Sequence, residues 1–368
     1  MTSNFFKNLM LTVDEIIQKH VKKSKIPGIS IGLIDENGTQ FFNYGEIKKE
    51  SGIEPTPNTL FEIGSMTKTF TAILTVQLQN EGLLSLDDPI IKFLPEFAGS
   101  DFDKNKITFY HLITHTSGLV EVPLREYPKY LIKFVFRTSK GKFFPPRYRL
   151  NTSSFLQEIS QLKLKDNPGT KFRYSNSGVG LVGKILERVT NSTYEELIKS
   201  RILNVLSMHD TTITISENQK EKLATGYLIT GKEADPINIP AVASAGSICS
   251  SVSDLLKFLK VNLDLEQSSL SSVMEYCKST RIDPSLSFFN KSTAKLLMGV
   301  QSTEIGLGWI AADLKNISIL QHSGGTEGFS TTMMMNLNKK TGIVVLTNAA
   351  FKDNSKLSIK LLQKLSDK

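Results

Sequence analysis

The alternation of apolar and polar positions predicts that both ends of the chain contribute strands. Residues 11–24 have the apolar spacing of an amphipathic helix. The apolar, β-branched run ISIGLID at 29–35 follows, and the turn Asn37-Gly38 separates it from a second strand candidate, TQFFNYGEI. Near the other end, TTMMMNLNKKTGIVVLTN at 331–348 predicts two strands joined by a turn that reaches Gly342.

The middle of the chain predicts helices and long connections. An apolar helix is expected to begin near Ser65 and to run to the stop signal Glu81-Gly82. From about 108 to 235 the pattern is mainly helical, with long loops near 120–150 and 164–172. Because strands at both ends enclose a helical middle, we predict an α/β (α+β) fold with an antiparallel sheet flanked by helices and an inserted helical lobe.

Chain length and apolar content favour a single module. The 368 residues are 40% hydrophobic, so the chain can bury a sizeable core. We predict one module over 12–350, with a sheet lobe from about 12–95 and 241–368 and a mostly helical lobe from about 96–240. Charged residues make up 22% of the chain and no apolar run approaches about 18 residues, so no membrane span is expected.

A formal net charge of +8 raises the question of anionic partners. The basic residues are scattered, and their densest group lies at 129–149, where lysines and arginines alternate with aromatic residues. We interpret this stretch as a solvated basic face or loop, with docking to a membrane surface or a lid over substrate as the alternative. No nucleic-acid partner is expected.

Cysteine content and the amino terminus bear on compartment. Cys249 and Cys277 are too few for a disulfide framework and have no metal-ligand spacing. Asp14 and Glu15 interrupt the stretch where an apolar signal core would continue, so no export signal is expected. This favours a cytoplasmic location, or a periplasmic or extracellular one if the native start is processed. The oligomeric state is left open.

Ser65 and Lys68 give the first chemical signal. On a helix, positions i and i+3 share a face with Cβ atoms about 5–6 Å apart, so the lysine can reach the serine hydroxyl. The positive end of the helix and the backbone N–H of Ser65 favour a developing alkoxide and oxyanion. The same Ser-x-x-Lys spacing recurs at 160–163 and 292–295, so only the preceding glycine and the apolar helix distinguish the first copy.

Two further motifs can supply partners for a nucleophilic serine. Tyr174 beside an ammonium can act as a base, and Asn176 can hold a substrate carbonyl or the lysine; alone, this stretch is a turn in which Asn176 caps the next helix. His322-Ser323-Gly324-Gly325 lies before the late strand pair. Small residues on an edge strand would admit a substrate backbone, and the N–H of Gly325 would be a second oxyanion donor; alone, it is a glycine turn.

Two other patterns resemble cofactor or metal motifs but lack their context. The GxGxxG run at 178–183 has no preceding strand, so we interpret its glycines as helix-packing positions. His111 and His115 have the spacing of a zinc pair without a third ligand, and we interpret THTSGL as a structural turn beneath the site. No metal and no cofactor is implied.

Taken together and in this order, the motifs resemble those of the penicillin-recognising serine hydrolases. This superfamily includes class C β-lactamases, serine DD-carboxypeptidases, D-aminopeptidases and related esterases. The resemblance covers about residues 12–350 and implies a β-lactamase/transpeptidase-like fold. Further matching segments are FYHLITHTSGL at 109–119, PGTKFRYSNSGVGLVGKILERVT at 168–190, AGSICSSVSDLLKFL at 245–259, GLGWI at 306–310 and HSGGTEGFSTT at 322–332.

The resemblance implies a role for each site residue. Ser65 corresponds to the acylated nucleophile, Lys68 to its proton partner and Tyr174 to the general base. Asn176 corresponds to the amide that orients the substrate. His322 falls where the β-lactamases carry the lysine of Lys-Thr-Gly, and because imidazole is largely neutral at pH 7, it is more like the peptidases and esterases of the group.

The expected function is therefore hydrolysis of an amide or ester carbonyl through an acyl-enzyme on Ser65. The expected substrate is a small molecule or peptide: a D-amino-acid peptide, as for a DD-carboxypeptidase, or a small ester. The alternatives are a β-lactamase and a catalytically silent penicillin-binding or scaffold protein.

Overall fold

Seven strands form one antiparallel sheet in the computed structural model, which describes residues 2–119, 145–280, 282, 300–314 and 317–366. The strands are β1 (Gly28–Asp35), β2 (Gly38–Gly45), β5 (Val300–Ile305), β6 (Ile310–Leu314), β7 (Ile317–Gly325), β8 (Ser330–Asn336) and β9 (Thr341–Thr347). Their spatial order is β2-β1-β9-β8-β7-β6-β5, so β1 from one end of the chain pairs with β9 from the other. A separate short ladder joins β3 (Phe61–Glu62) to β4 (Cys249–Ser250).

The sequence predictions for the strands are confirmed at both ends of the chain. β1, β2, β8 and β9 lie where the apolar alternation predicted them. The late turn is shorter than predicted, because Gly342 already pairs with Met335 in the β8–β9 ladder. β7 is not an edge strand of the sheet, since it lies between β8 and β6. Its ladder with β6 ends at Gln321, however, so the stretch from His322 to Gly325 extends past β6 while still pairing with β8.

Helices cover both faces of the sheet. Their bounds in the described residues are α1 (Thr2–Ser24), α2 (Thr67–Asn80), α3 (Asp101–Lys104), α4 (Phe109–Ile113), α5 (Thr152–Ser160), α6 (Asn176–Thr190), α7 (Tyr194–Ile198), α8 (Glu217–Lys220), α9 (Ala243–Gly246), α10 (Val252–Asn262), α11 (Ser271–Ser279) and α12 (Ser355–Ser366). α1 and α12 pack on one face through a shared apolar cluster, and α10 packs on the other. β1 is buried on both sides, and Gly32 lets α10 approach closely because a Cβ there would lie 2.4 Å from Val252 Cγ1.

Helix α2 is the buried centre of the second layer. A 3₁₀ turn over Gly64–Met66 leads into it, and its side chains are buried along almost the whole length. The predicted stop is confirmed: Glu81 is the C-cap and Gly82 has φ +73°. The apolar sequence that follows Lys68 therefore packs this helix into the core on every side.

The predicted helical middle is confirmed only in part. α4 to α8 are short, and the connection over 164–172 is non-helical as predicted. The loop predicted at 120–150, the basic stretch at 129–149 and the Ser-x-x-Lys copy at 292–295 lie wholly or largely outside the described residues. Where the chain is described, no helix has both the length and the apolar character needed to cross a membrane.

Phe70 tests how far the fold depends on packing around α2. Its ring is fully buried and stacks on Phe258 with centroids 4.6 Å apart. We expect Phe70→Ala to lower the free energy of unfolding by about 3–5 kcal/mol in a denaturant titration, because it leaves a cavity. Phe41→Ala, on β2 with 37% of the side chain exposed, is the control and should cost less than about 1 kcal/mol. Equal losses in the two variants would contradict this packing.

Candidate active site

The turn that carries Ser65 is fixed by the glycine before it. Gly64 has φ +53°, a left-handed conformation that glycine adopts without strain. A Cβ on Gly64 would also lie 2.7 Å from the backbone nitrogen of Gly325 and 2.9 Å from its carbonyl oxygen. The glycine is therefore needed for two reasons, and its backbone lies directly against the end of β7.

A second glycine completes this contact. A Cβ on Gly324 would lie only 1.9 Å from the carbonyl oxygen of Ile63, and the hydroxyl of Thr331 donates to the same oxygen at 3.0 Å. The segment before Ser65 and the end of β7 thus meet backbone to backbone. The N–H groups of Ser65 and Gly325 lie on these adjoining segments, as a two-donor oxyanion hole requires.

Lys68 is buried, with only 2% of its surface exposed, and it holds three segments together. Its Nζ donates to Ser65 Oγ at 2.9 Å, to Asn176 Oδ1 at 2.8 Å and to the carbonyl oxygen of Ala245 at 2.7 Å. An ammonium only donates hydrogen bonds, so in this arrangement Lys68 stabilises charge on the serine oxygen and another group must accept the serine proton.

Tyr174 lies beside the ammonium and faces solvent. Its side chain is 38% exposed, and its ring centroid is 4.9 Å from Lys68 Nζ. A nearby positive charge favours a phenolate over a phenol. The geometry is consistent with the predicted base, at the open side of the serine.

Asn176 is free to bind Lys68 because its neighbour caps the helix. Ser175 is the N-cap of α6, and its Oγ accepts the N–H of Gly178 at 3.0 Å. The alternative that Asn176 itself is the cap is wrong, since Asn176 is the first helical residue.

The glycines at 178–183 act in helix packing, as the sequence indicated. A Cβ on Gly180 would lie 2.6 Å from Val242 Cγ1, and one on Gly183 would lie 2.3 Å from Ser244 Oγ. Both contacts bring α6 against the segment that contains Ala245, whose carbonyl accepts from Lys68. These small residues therefore position two of the partners of the lysine.

His115 is a site residue that the sequence interpretation missed. Its ring stacks on Tyr174 with centroids 4.4 Å apart, and its Nδ1 accepts the N–H of Ser175 at 3.2 Å. Burial, together with the charge of Lys68, holds the pKa of His115 well below its usual value, so the ring is neutral. The imidazole supports the backbone and the ring of the candidate base from below. The left-handed φ of +59° at His115 is a tertiary feature that spacing alone does not indicate.

The two histidines of the apparent zinc pair have different partners. His111 belongs to a capping box with Thr108, where its Nδ1 accepts the N–H of that residue at 3.2 Å. His115 turns toward Tyr174 instead. In the described part of the chain, no group of three or more histidine, cysteine, aspartate or glutamate side chains is arranged to hold a metal ion.

His322 is a neutral group in the site. It is buried, and burial and the charge of Lys68 lower its pKa to about 3. Its Nδ1 lies 2.8 Å from the carbonyl oxygen of Ser323. A carbonyl can only accept, so Nδ1 carries the hydrogen and Nε2 has the lone pair. The side chain of Ser323 is exposed, with Oγ 3.3 Å from Thr332 Oγ1.

The second Ser-x-x-Lys copy shows what the bare spacing gives without this context. Ser160 Oγ donates to the carbonyl oxygen of Gln157 at 2.8 Å, and Lys163 pairs with Asp101 at 2.9 Å. Both residues have partners other than each other. The buried position of Lys68, and not the spacing, therefore distinguishes the first copy.

Comparison with known proteins gives one consistent family. The family described as Beta-lactamase matches residues 13–365. A β-lactamase of Pseudomonas fluorescens is 32% identical over 251 residues, which are 68% of this chain and 64% of that protein. A β-lactamase of Yersinia enterocolitica is 26% identical over 91% of this chain and 86% of its own length. Protein flp of Staphylococcus aureus strain N315 is 28% identical over 96% of this chain, which spans 65% of the relative.

Solved structures have the same fold. A class C β-lactamase superposes with a TM-score of 0.80 at 25% identity, over 98% of both chains. A class C β-lactamase in complex with cefoxitin gives 0.79 at 25% identity, over 98% of this chain and 99% of the other. A protein from Pseudomonas syringae titled β-lactamase/D-alanine carboxypeptidase gives 0.78 at 23% identity over 98% and 99%, which supports the fold alone.

His115 can be tested by removing its hydrogen-bond acceptor. We expect His115→Phe to keep the stacked ring but to lower kcat for p-nitrophenyl acetate about tenfold, because the buried N–H of Ser175 loses its acceptor. KM should change little. His115→Asn, whose amide oxygen can replace Nδ1, should recover much of the loss, and His209→Phe at an exposed position should behave as wild type. A wild-type kcat in His115→Phe would show that the imidazole does not position the tyrosine.

Proposed function

The chain belongs to the beta-lactamase family of serine hydrolases, and from this premise we propose that it cleaves an ester or amide carbonyl through an acyl-enzyme on Ser65. The observation that carries the proposal is the buried ammonium of Lys68, 2.9 Å from Ser65 Oγ. The fixed acceptors on Asn176 and Ala245 keep it there. A charge in this position stabilises an alkoxide before the substrate arrives.

In the proposed reaction, Tyr174 is the base and Lys68 the electrostatic support. The phenolate oxygen takes the hydroxyl proton of Ser65 as Oγ bonds to the substrate carbonyl carbon. The negative charge that develops on the carbonyl oxygen is stabilised by the N–H groups of Ser65 and Gly325. When the bond to the leaving group breaks, Tyr174 returns the proton to it. Water then attacks the acyl carbon and gives one proton to Tyr174, which passes it to the departing Ser65 Oγ.

The neutral state of His322 supports a particular substrate class. A carboxylate on the substrate would find no cation at this side chain, because the pKa of His322 is about 3 and the ring is uncharged at neutral pH. The Nε2 lone pair instead offers an acceptor for an N–H or O–H donor. We therefore propose small esters or D-amino-acid peptides as substrates, with β-lactams turned over less well.

A β-lactamase is the second candidate. It is favoured by the 32% identity to the β-lactamase of Pseudomonas fluorescens. That match spans 64% of the relative's length, so its activity is a proposal for this chain.

The proposal predicts that all turnover depends on Ser65. Wild type and Ser65→Ala are incubated with p-nitrophenyl acetate, with a D-alanyl-D-alanine peptide and with benzylpenicillin, and both turnover and intact mass are measured. We expect Ser65→Ala to lose at least about 10³-fold in kcat/KM and to form no covalent adduct. Ser160→Ala, from the copy in which serine and lysine have separate partners, is the matched control and should keep wild-type activity. Full turnover in Ser65→Ala would refute the assignment.

A charge placed at position 322 should change substrate preference. We expect His322→Lys to raise the rate of acylation by benzylpenicillin relative to p-nitrophenyl acetate about tenfold, because a cation there can pair with the penicillin carboxylate. His322→Gln keeps a neutral side chain and should leave this ratio near the wild-type value. If the ratio in His322→Lys stayed at the wild-type value, the charge of residue 322 would not govern substrate class.

A further inference from the structure

A buried carboxyl group lies three residues before the proposed nucleophile and has no role in the mechanism above. Glu62 is on β3 and is only 3% exposed. Its Oε1 accepts the N–H of Ile237 at 2.7 Å, and its carboxyl group is also hydrogen-bonded to the side chain of Thr326. Thr326 follows Gly325 directly. One side chain therefore joins the strand that leads to Ser65 with the turn that follows Gly325.

This link lies at a contact that needs accurate alignment. Gly64 lies against the backbone of Gly325, and Gly324 lies against the carbonyl oxygen of Ile63. Donors of an oxyanion hole must lie about 2.7–3.1 Å from a single oxygen position, so a small shift of one segment against the other would spoil the pair. The bond from Glu62 to Thr326 resists such a shift at the side-chain level.

The charges around Glu62 indicate which form of the carboxyl makes this bond. Glu327, next in the turn, is 6% exposed in its side chain and pairs with Arg149 at 3.1 Å. The Cys249 thiol, opposite Glu62 in the β3–β4 ladder, stays uncharged because burial raises its pKa. Two carboxyl groups thus share one printed cation, and the ion pair uses it for Glu327. Burial, with the charge of Glu327 adding to it, raises the pKa of Glu62 to about 7 despite the opposing hydrogen bonds.

We propose that Glu62 is a positioning residue for the reaction, which holds the turn at Thr326 so that the N–H groups of Gly325 and Ser65 face one oxyanion. The inference rests on the proposed function. The neutral carboxyl is the working form. Ionisation would place a second negative charge beside Glu327 and loosen the turn, so catalysis should weaken as the pH rises through about 7.

The test compares Glu62→Gln and Glu62→Ala with wild type in the full chain, with p-nitrophenyl acetate as the substrate. We expect Glu62→Ala to lower kcat about tenfold to a hundredfold with KM within about twofold, less than the loss of an oxyanion donor outright. Glu62→Gln is neutral at every pH, so its kcat should equal that of wild type near pH 6 and exceed it increasingly above about pH 7.

A second pair of variants addresses the bond without touching the buried carboxyl. Thr326→Val removes the hydroxyl at nearly constant volume and should lower kcat, whereas Thr326→Ser keeps the hydroxyl and should restore it. This pair decides the matter if Glu62→Ala fails to fold. A merely structural role would lower the melting temperature without changing kcat per folded molecule or its pH dependence.

Three outcomes would overturn the inference. Wild-type kcat in both Glu62→Gln and Thr326→Val, with a ratio of Glu62→Gln to wild type that does not change with pH, would show that Glu62 does not position the donors. A loss in Glu62→Gln equal to that in Glu62→Ala at every pH would show that the carboxylate, not the neutral acid, is the working form. Turnover that survives in Ser65→Ala would refute the proposed function and this inference together, whereas an inactive Ser65→Ala separates the two.

Discussion

The buried ammonium of Lys68 is the interaction on which the rest of the site depends. An unpaired buried charge would cost several kcal/mol, so the fold must bring acceptors to it. It does so from three places in the chain: the turn before α2, the start of α6 and the end of α9. The same charge lowers the pKa of both His115 and His322. One cation thus assembles the segments and leaves the surrounding imidazoles neutral.

Backbone contacts through glycine set the geometry around this charge. Gly64 and Gly324 let the segment before Ser65 lie against the end of β7, and Gly183 lets α6 lie against α9. A side chain at any of these positions would push apart the groups that must converge on the serine. The position of the nucleophile relative to the oxyanion donors is therefore fixed by close-packed backbones, with Glu62 and Thr326 as the side-chain link at their edge.

The parts of this structure that depend on local sequence were predictable, and those that depend on distant contacts were not. Periodicity predicted β1, β2, β8, β9 and helix α2, because each buries a regular pattern of its own residues. The early part of the sheet edge, β5 and β6, was not predicted. The role of His115 and the link through Glu62 were also missed, since each depends on a partner about 60 residues away or more. Spacing also did not reveal that Ser175, rather than Asn176, caps α6.

Covalent labelling with a fluorophosphonate, mapped by peptide mass spectrometry, tests the central claim most directly. Such a reagent reacts with a serine only when its oxygen is activated. If the buried ammonium activates Ser65, wild type should take up a single label on Ser65, Ser160 should remain unlabelled, and Lys68→Met should lose the label while it stays folded. Labelling of another serine, or labelling of Ser65 at the wild-type rate in Lys68→Met, would contradict the account.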